Sequence, residues 1–134
     1  MKKVNILFVC RFNRTRSRIA EAYFKKINKN KNFKVKSAGL FKGNPVCKED
    51  IKLAKKFGIN INGKPQGISS KLLVWQNIII VVADDVPPII FKEGAKNVIV
   101  WNIKDTQYQK NPDNLVKEIM KKVEKLCSNF KPKI

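Results

Sequence analysis

The sequence predicts an α/β fold built on a parallel sheet, and three observations lead there. Residues 4–9 and 77–83 are near-continuous apolar runs, the pattern of strands buried on both faces. Segments with helical spacing separate the strand-like ones. Alternating strands and helices demand right-handed crossovers, which set successive strands parallel.

Each element has its own local signal. The run at 4–9 leads into Cys10, and Ser17 then marks a helix start. Ile19, Ala20, Tyr23, Phe24 and Ile27 share one face of that helix, while Glu21 stands four residues before Lys25 on the outer face. Residues 33–37 read as a shorter strand closed by Gly39, and 48–57 as a helix stopped by Gly58. The stretches 77–83 and 97–101 supply the second and third fully buried strands. In the last helix Asn111 is the cap, Pro112 takes the first helical position, and Leu115, Ile119, Val123 and Leu126 form the buried stripe. Ligands of such sheets bind beyond the carboxyl ends of the strands. Cys10, Asp84 and Asp105 all fall there.

A chain of 134 residues, 43% of them hydrophobic, fits a single domain over residues 1–134 that needs no metal or disulfide to fold. Its apolar runs fall far short of the roughly 20 residues a bilayer span requires, and the short apolar stretch before Arg11 lacks a cleavage site. A soluble, cytoplasmic protein without a membrane partner is expected, and the three cysteines suit a reducing compartment. Lys plus Arg number 29 against 10 Asp plus Glu, a formal net charge of +19. Such a field attracts anions, whether nucleic acid, acidic lipid or a phosphorylated substrate. The chain has no histidine, which excludes every mechanism with a His base, nucleophile or metal ligand.

Arginine is placed very differently from lysine. Arg11, Arg14, Arg16 and Arg18 lie in one short segment, and every other basic residue is a lysine. A guanidinium fork grips phosphate through two parallel hydrogen bonds and keeps its charge. The segment reads Cys10-Arg11-Phe12-Asn13-Arg14-Thr15-Arg16-Ser17: a cysteine ends a strand, five residues intervene, and Arg-Ser opens a helix. A turn at a helix N-terminus aims backbone N–H groups inward and cradles a tetrahedral oxyanion. Those dipoles and Arg16 are expected to favour the thiolate of Cys10 over the thiol, with the Ser17 hydroxyl donating to the sulfur. The outcome would be a nucleophile held below a bound phosphate, in line for displacement. The competing reading is an inert core cysteine beside a solvated loop; the spacing, the strand-to-helix junction and the arginine cluster together outweigh it. A second phosphate-loop spacing, Gly58, Gly63 and Lys64, is discounted because Pro65 stands where a magnesium-binding hydroxyl belongs.

These residues resemble the low-molecular-weight protein tyrosine phosphatase family, whose fold carries a Cys-x5-Arg-Ser loop after its first strand. The likeness runs through Arg16-Ser17 with Ala20-Glu21-Ala22, Ser37-Ala38-Gly39, Phe57-Gly58-Ile59 and Ala83-Asp84-Asp85, to Asp105. It implies three layers, a four-stranded parallel sheet with helices on both faces, and hydrolysis through a phosphocysteine intermediate with neither metal nor other cofactor. By resemblance Cys10 is the nucleophile, Arg16 binds phosphoryl oxygens together with the loop Arg11, Phe12, Asn13, Arg14 and Thr15, Ser17 assists the thiolate, and Asn13 shapes the loop. Four positions depart from the common pattern. Phe12 stands for a frequent glycine, Arg18 for a frequent proline, Thr15 for a second cysteine of many members, and Thr106 for the proline after the acid.

Departure of an alkoxide or phenolate requires a proton, which in a chain without histidine points to a carboxylate. The resemblance places the general acid in the loop holding Asp105, which would protonate the leaving group and then activate water. Asp84 and Asp85 compete for the role, but a carboxylate beside bound phosphate repels it unless paired with arginine; Asp84 is expected to support Arg16. Tyr108 and Phe41 are candidate walls of the substrate pocket. Cys47 and Cys127 are assigned no chemistry. The expected substrate is a phosphorylated protein or small phosphate ester, acted on by a monomer whose basic surface makes nonspecific nucleic-acid contacts. The rivals are a nucleic-acid-binding module, a phosphatase of RNA ends and, less favoured, an arsenate reductase, which would need closely spaced relay cysteines.

Overall fold

The computed structural model describes residues 3–95, 97–106 and 109–129. Four parallel strands, β1 (Val4–Cys10), β2 (Phe33–Gly39), β3 (Ile78–Val82) and β4 (Val98–Trp101), form one sheet in the order β2-β1-β3-β4. The helices are α1 (Arg16–Ile27), α2 (Lys48–Lys55), α3 (Ser70–Trp75) and α4 (Pro112–Asn129), with a 3₁₀ turn at Pro88–Phe91. The expected three-layer α/β architecture is what forms.

Side-chain alternation along the central strands feeds two cores. Ile6 and Phe8 of β1 and Ile80 and Val82 of β3 face α1, α2 and α4, where Ile19, Phe24, Leu53, Leu115, Ile119 and Val123 close over them. Leu7, Val9, Ile79 and Val81 point the other way, toward Leu72 of α3 and Phe91 of the 3₁₀ turn. Phe8 anchors the larger core, its ring centroid 6.2 Å from Phe24 and 5.8 Å from Trp101. Burying a side chain of that size contributes about 2–3 kcal/mol. The apolar runs of β1 and β3 were continuous because both faces of each strand are covered.

Elsewhere the structure corrects the sequence reading. The segment expected as a third fully buried strand is the edge strand β4, and Ile99 and Val100 on it remain 40% and 37% exposed. Apolar composition alone does not distinguish an edge from a centre. Helix α2 ends at Lys55, and a turn carries the chain to Gly58, whose φ of 74° is the left-handed conformation glycine tolerates. Helix α3 was not anticipated: six residues are too few to show a period, although Ser69 caps it by accepting from the Leu72 N–H at 3.2 Å. Asn111 caps α4 as expected, its Oδ1 accepting from the Asp113 N–H at 3.0 Å. The discounted loop at Gly58–Lys64 turns carbonyls, not amides, to its neighbour: Arg18 donates to the oxygens of Ile61 and Lys64 at 3.0 and 3.2 Å.

Candidate active site

Strand β1 delivers Cys10 to the carboxyl edge of the sheet, paired in register with Gly39 of β2. The chain then loops through 11–15 before α1 begins. The carbonyls of Cys10, Arg11 and Phe12 turn outward, accepting from the N–H groups of Leu40, Phe41 and Gly43 at 2.9, 2.9 and 3.1 Å. Among the described residues, the N–H groups of Phe12 to Thr15 donate to nothing in the protein. Amides with no internal partner at a helix N-terminus are the cradle that an oxyanion fits. Gly39 makes the arrangement possible, since a Cβ there would lie 2.6 Å from the Phe12 carbonyl carbon and 2.7 Å from the Asn13 nitrogen.

Asn13 holds the loop from behind. It is fully buried and adopts φ 57°, a left-handed conformation that asparagine accepts more readily than most residues. Its Oδ1 accepts from the Gln66 N–H at 2.9 Å. A backbone amide can only donate, so the orientation of the side-chain amide is set, and Nδ2 donates to Ser17 Oγ at 2.8 Å and Ser37 Oγ at 3.0 Å. The Ser37 hydroxyl in turn donates a hydrogen bond to Glu21 Oε1. Ser17 Oγ also lies 3.0 Å from Cys10 Sγ, and its one proton can be donated to a thiolate there. Cys10 is 2% exposed and lines a pocket of about 170 Å³.

That pocket is lined by Cys10, Phe12, Arg14, Thr15, Arg16, Cys47, Asp50, Asp105 and Thr106. The nucleophile, arginine and acid expected from the sequence therefore share one cavity, although they come from β1, α1 and the loop after β4. Arg16 is buried and fastened on its outer side. It donates to the Ile103 carbonyl at 2.9 Å, lies 3.0 Å from Asp85 Oδ1, and reaches Asp84 Oδ1 at 3.7 Å. Both aspartates flank it, with Asp85 the closer partner. Asp105 accepts from the Thr106 N–H through Oδ1 at 2.8 Å.

Some expected positions fall elsewhere. Asn13 contributes no wall, and Arg11 is exposed with its guanidinium 5.5 Å from the Phe12 ring centre. Phe41 does not line the cavity: it packs beside Phe12 at 6.2 Å, and Phe12 is the wall. Tyr108 lies outside the described residues. Cys47 and Asp50, given no role from sequence, both face the pocket, and Asp50 Oδ2 accepts from the Thr15 hydroxyl. Burial pushes the Cys47 thiol above its ordinary value; an Asp50 backbone hydrogen bond opposes the shift and the Asp50 charge adds to it. No helix is long and apolar enough to cross a membrane among the described residues.

Solved structures with this architecture catalyse different reactions. An arsenate reductase from Archaeoglobus fulgidus is 27% identical, covers 92% of this chain and 98% of its own, and superposes with a TM-score of 0.74. A low molecular weight protein tyrosine phosphatase from T. tengcongensis is 22% identical over 96% of this chain and 100% of its own, with a TM-score of 0.80. The YwlE arginine phosphatase from Geobacillus stearothermophilus is 19% identical over 94% and 92%, at 0.79. No curated protein sequence matches the chain. Residues 5–134 match the family described as low molecular weight phosphotyrosine protein phosphatase, and the chain belongs to that family.

Proposed function

We propose that this enzyme hydrolyses phosphomonoesters, aryl phosphates and phosphotyrosyl proteins foremost, through a phosphocysteine on Cys10. The observation that carries the reading is the Cys10–Ser17 pair at 3.0 Å, on the floor of a pocket walled by Arg16 and Asp105. The phosphoryl group enters the cradle, where the free N–H groups of Phe12 to Thr15 and the Arg16 guanidinium take its oxygens. The Cys10 thiolate forms the S–P bond as the P–O bond to the leaving group breaks, and Asp105 gives that oxygen its proton. Water then attacks phosphorus, losing a proton to Asp105, while the S–P electron pair returns to sulfur and the Ser17 hydroxyl steadies the thiolate. Phosphate leaves and both groups regain their starting states.

Lysine-rich charge at +19 repels a second copy and supports a monomer with nonspecific affinity for nucleic acid, held in a reducing cytoplasm where Cys10 escapes oxidation. The test is p-nitrophenyl phosphate turnover in the wild type and Cys10→Ser. Turnover is expected to vanish in the variant while inorganic phosphate still binds by calorimetry. Undiminished turnover would remove the thiol from the mechanism. An arsenate reductase reading rests on the Archaeoglobus fulgidus likeness and on Cys47 facing the same pocket as Cys10. Thiol-coupled arsenate reduction exceeding phosphatase turnover would favour it.

A further inference from the structure

We propose that Arg14 is a second anion-binding group of the pocket, selecting phosphotyrosyl peptides that carry an acidic residue beside the phosphorylated one. The proposal rests on the phosphatase reading and names the substrate class of the same site. A comparison of the four arginines carries it. Arg11 is exposed and lies against the Phe12 ring outside the cavity. Arg18 is turned away, donating to Ile61 and Lys64 carbonyls. Arg16 faces two carboxylates, Asp84 and Asp85, so its charge is matched before a substrate arrives. Arg14 alone places a guanidinium on the pocket wall with no carboxylate partner among the described residues.

Arg14 is also held in place. Its single hydrogen bond is to a neutral acceptor, the Pro45 carbonyl, 3.4 Å from Nη2. Gly43 lets the 41–45 loop rest on its stem: a Cβ there would stand 2.9 Å from Arg14 Cγ. Its Nε is buried and donates to nothing. A guanidinium carries five N–H donors and the Pro45 carbonyl takes one, which leaves donors on the Nη groups for an anion delivered by the substrate. A carboxylate next to the phosphoryl group brings two oxygens to a fork built for two. A nucleic-acid backbone fits less well. The cavity also presents Asp50 and Asp105, carboxylates that repel a line of phosphates running along it.

The experiment compares two phosphotyrosyl peptides, identical except for glutamates or lysines flanking the phosphotyrosine, in the wild type, Arg14→Met, Arg14→Lys and a surface control, Lys34→Met. Each kcat/KM is normalised to that variant's own p-nitrophenyl phosphate value. The wild type is expected to prefer the acidic peptide about tenfold, the scale of one charge-assisted hydrogen bond. Arg14→Met should bring the ratio within about twofold through KM, with kcat less affected, and Arg14→Lys should retain part of it. Lys34 lies at the amino end of β2, so Lys34→Met should keep the wild-type ratio, separating Arg14 from the general basic field. Equal preference in the wild type and Arg14→Met, or an equal fall in Lys34→Met, overturns the proposal. Faster turnover of a 5′-phosphorylated oligonucleotide than of the acidic peptide overturns the peptide assignment. If Arg14→Met fails to fold, an Arg14→Lys ratio no different from wild type in 0.5 M salt as well as in dilute buffer overturns it too. Absence of Cys10-dependent turnover with any ester would instead strike the phosphatase reading.

Discussion

The side-chain amide of Asn13 donates to Ser17 Oγ at 2.8 Å, and the same oxygen lies 3.0 Å from Cys10 Sγ, with its proton available to a thiolate there. One residue therefore bears on both the shape of the loop and the hydrogen bonding around Cys10. Two substitutions separate these roles. Asn13→Ala strands the Gln66 N–H and places alanine at a positive φ, and it should cost about 2–4 kcal/mol in urea denaturation. Asn13→Asp keeps the acceptor for Gln66 and tolerates the backbone, but its second oxygen takes the Ser17 proton away from sulfur. It should retain more of the stability while losing most of the p-nitrophenyl phosphate turnover. Equal losses of stability in the two variants, with turnover intact in Asn13→Asp, would show that the orientation of Ser17 does not matter.

Arg16 is gripped unequally by its two carboxylates. Asp85 lies 3.0 Å from one guanidinium nitrogen and Asp84 3.7 Å from the other, and the two aspartates are 28% and 36% exposed. Partial exposure discounts both pairs relative to a buried ion pair. Asp85→Ala should lower stability by about 1–2 kcal/mol and Asp84→Ala by less than about 1 kcal/mol. Thermal denaturation of the two variants at neutral pH checks the order, and a larger loss in Asp84→Ala would reverse the assignment.

What was legible in the sequence followed from local signals. Cys10, Arg16 and Ser17 sit on consecutive elements, so their spacing along the chain is nearly their spacing in the site. Asp105 was legible through the family resemblance and its place at a strand end. Cys47 and Asp50 were not, because only the folding back of the 40–47 loop brings the start of α2 to the pocket rim. Asp84 and Asp85 are adjacent, and which one closes on Arg16 depends on side-chain directions that no periodicity encodes. Ile99 and Val100 show the same limit for the fold: their hydrophobicity fits a central strand, and only the topology puts them on an edge.

Cys47 offers a check on the pocket wall. Burial raises its pKa, so the reactive thiolate is scarcer in the folded protein than in a free cysteine at the same pH. In Cys10→Ser, iodoacetamide should modify Cys47 more slowly at pH 8 than it modifies a free cysteine, with the rate rising at a midpoint above that of the free residue. The sign for folding is the same: a raised thiol pKa disfavours ionisation in the native state, so this group's contribution falls as pH climbs past the unfolded value. Inorganic phosphate should slow the reaction further if Cys47 shares the cavity with the bound anion. A low midpoint, or indifference to phosphate, would place this thiol elsewhere.

Asp105 is anchored through one oxygen, since Oδ1 accepts from the Thr106 N–H at 2.8 Å. The other oxygen is the one available for the acid role proposed above. Asp105→Asn preserves the anchoring acceptor and replaces only the proton-carrying atom, so it tests chemistry with little change of shape. General acid catalysis contributes about 10²- to 10⁴-fold, and kcat should fall within that range for phenyl phosphate. The loss should be smaller for p-nitrophenyl phosphate, whose leaving group is a weaker base and departs with less help. Equal losses for both esters would mean that Asp105 holds the loop and that the proton comes from another group, with Asp50 on the same pocket wall the next carboxylate to test.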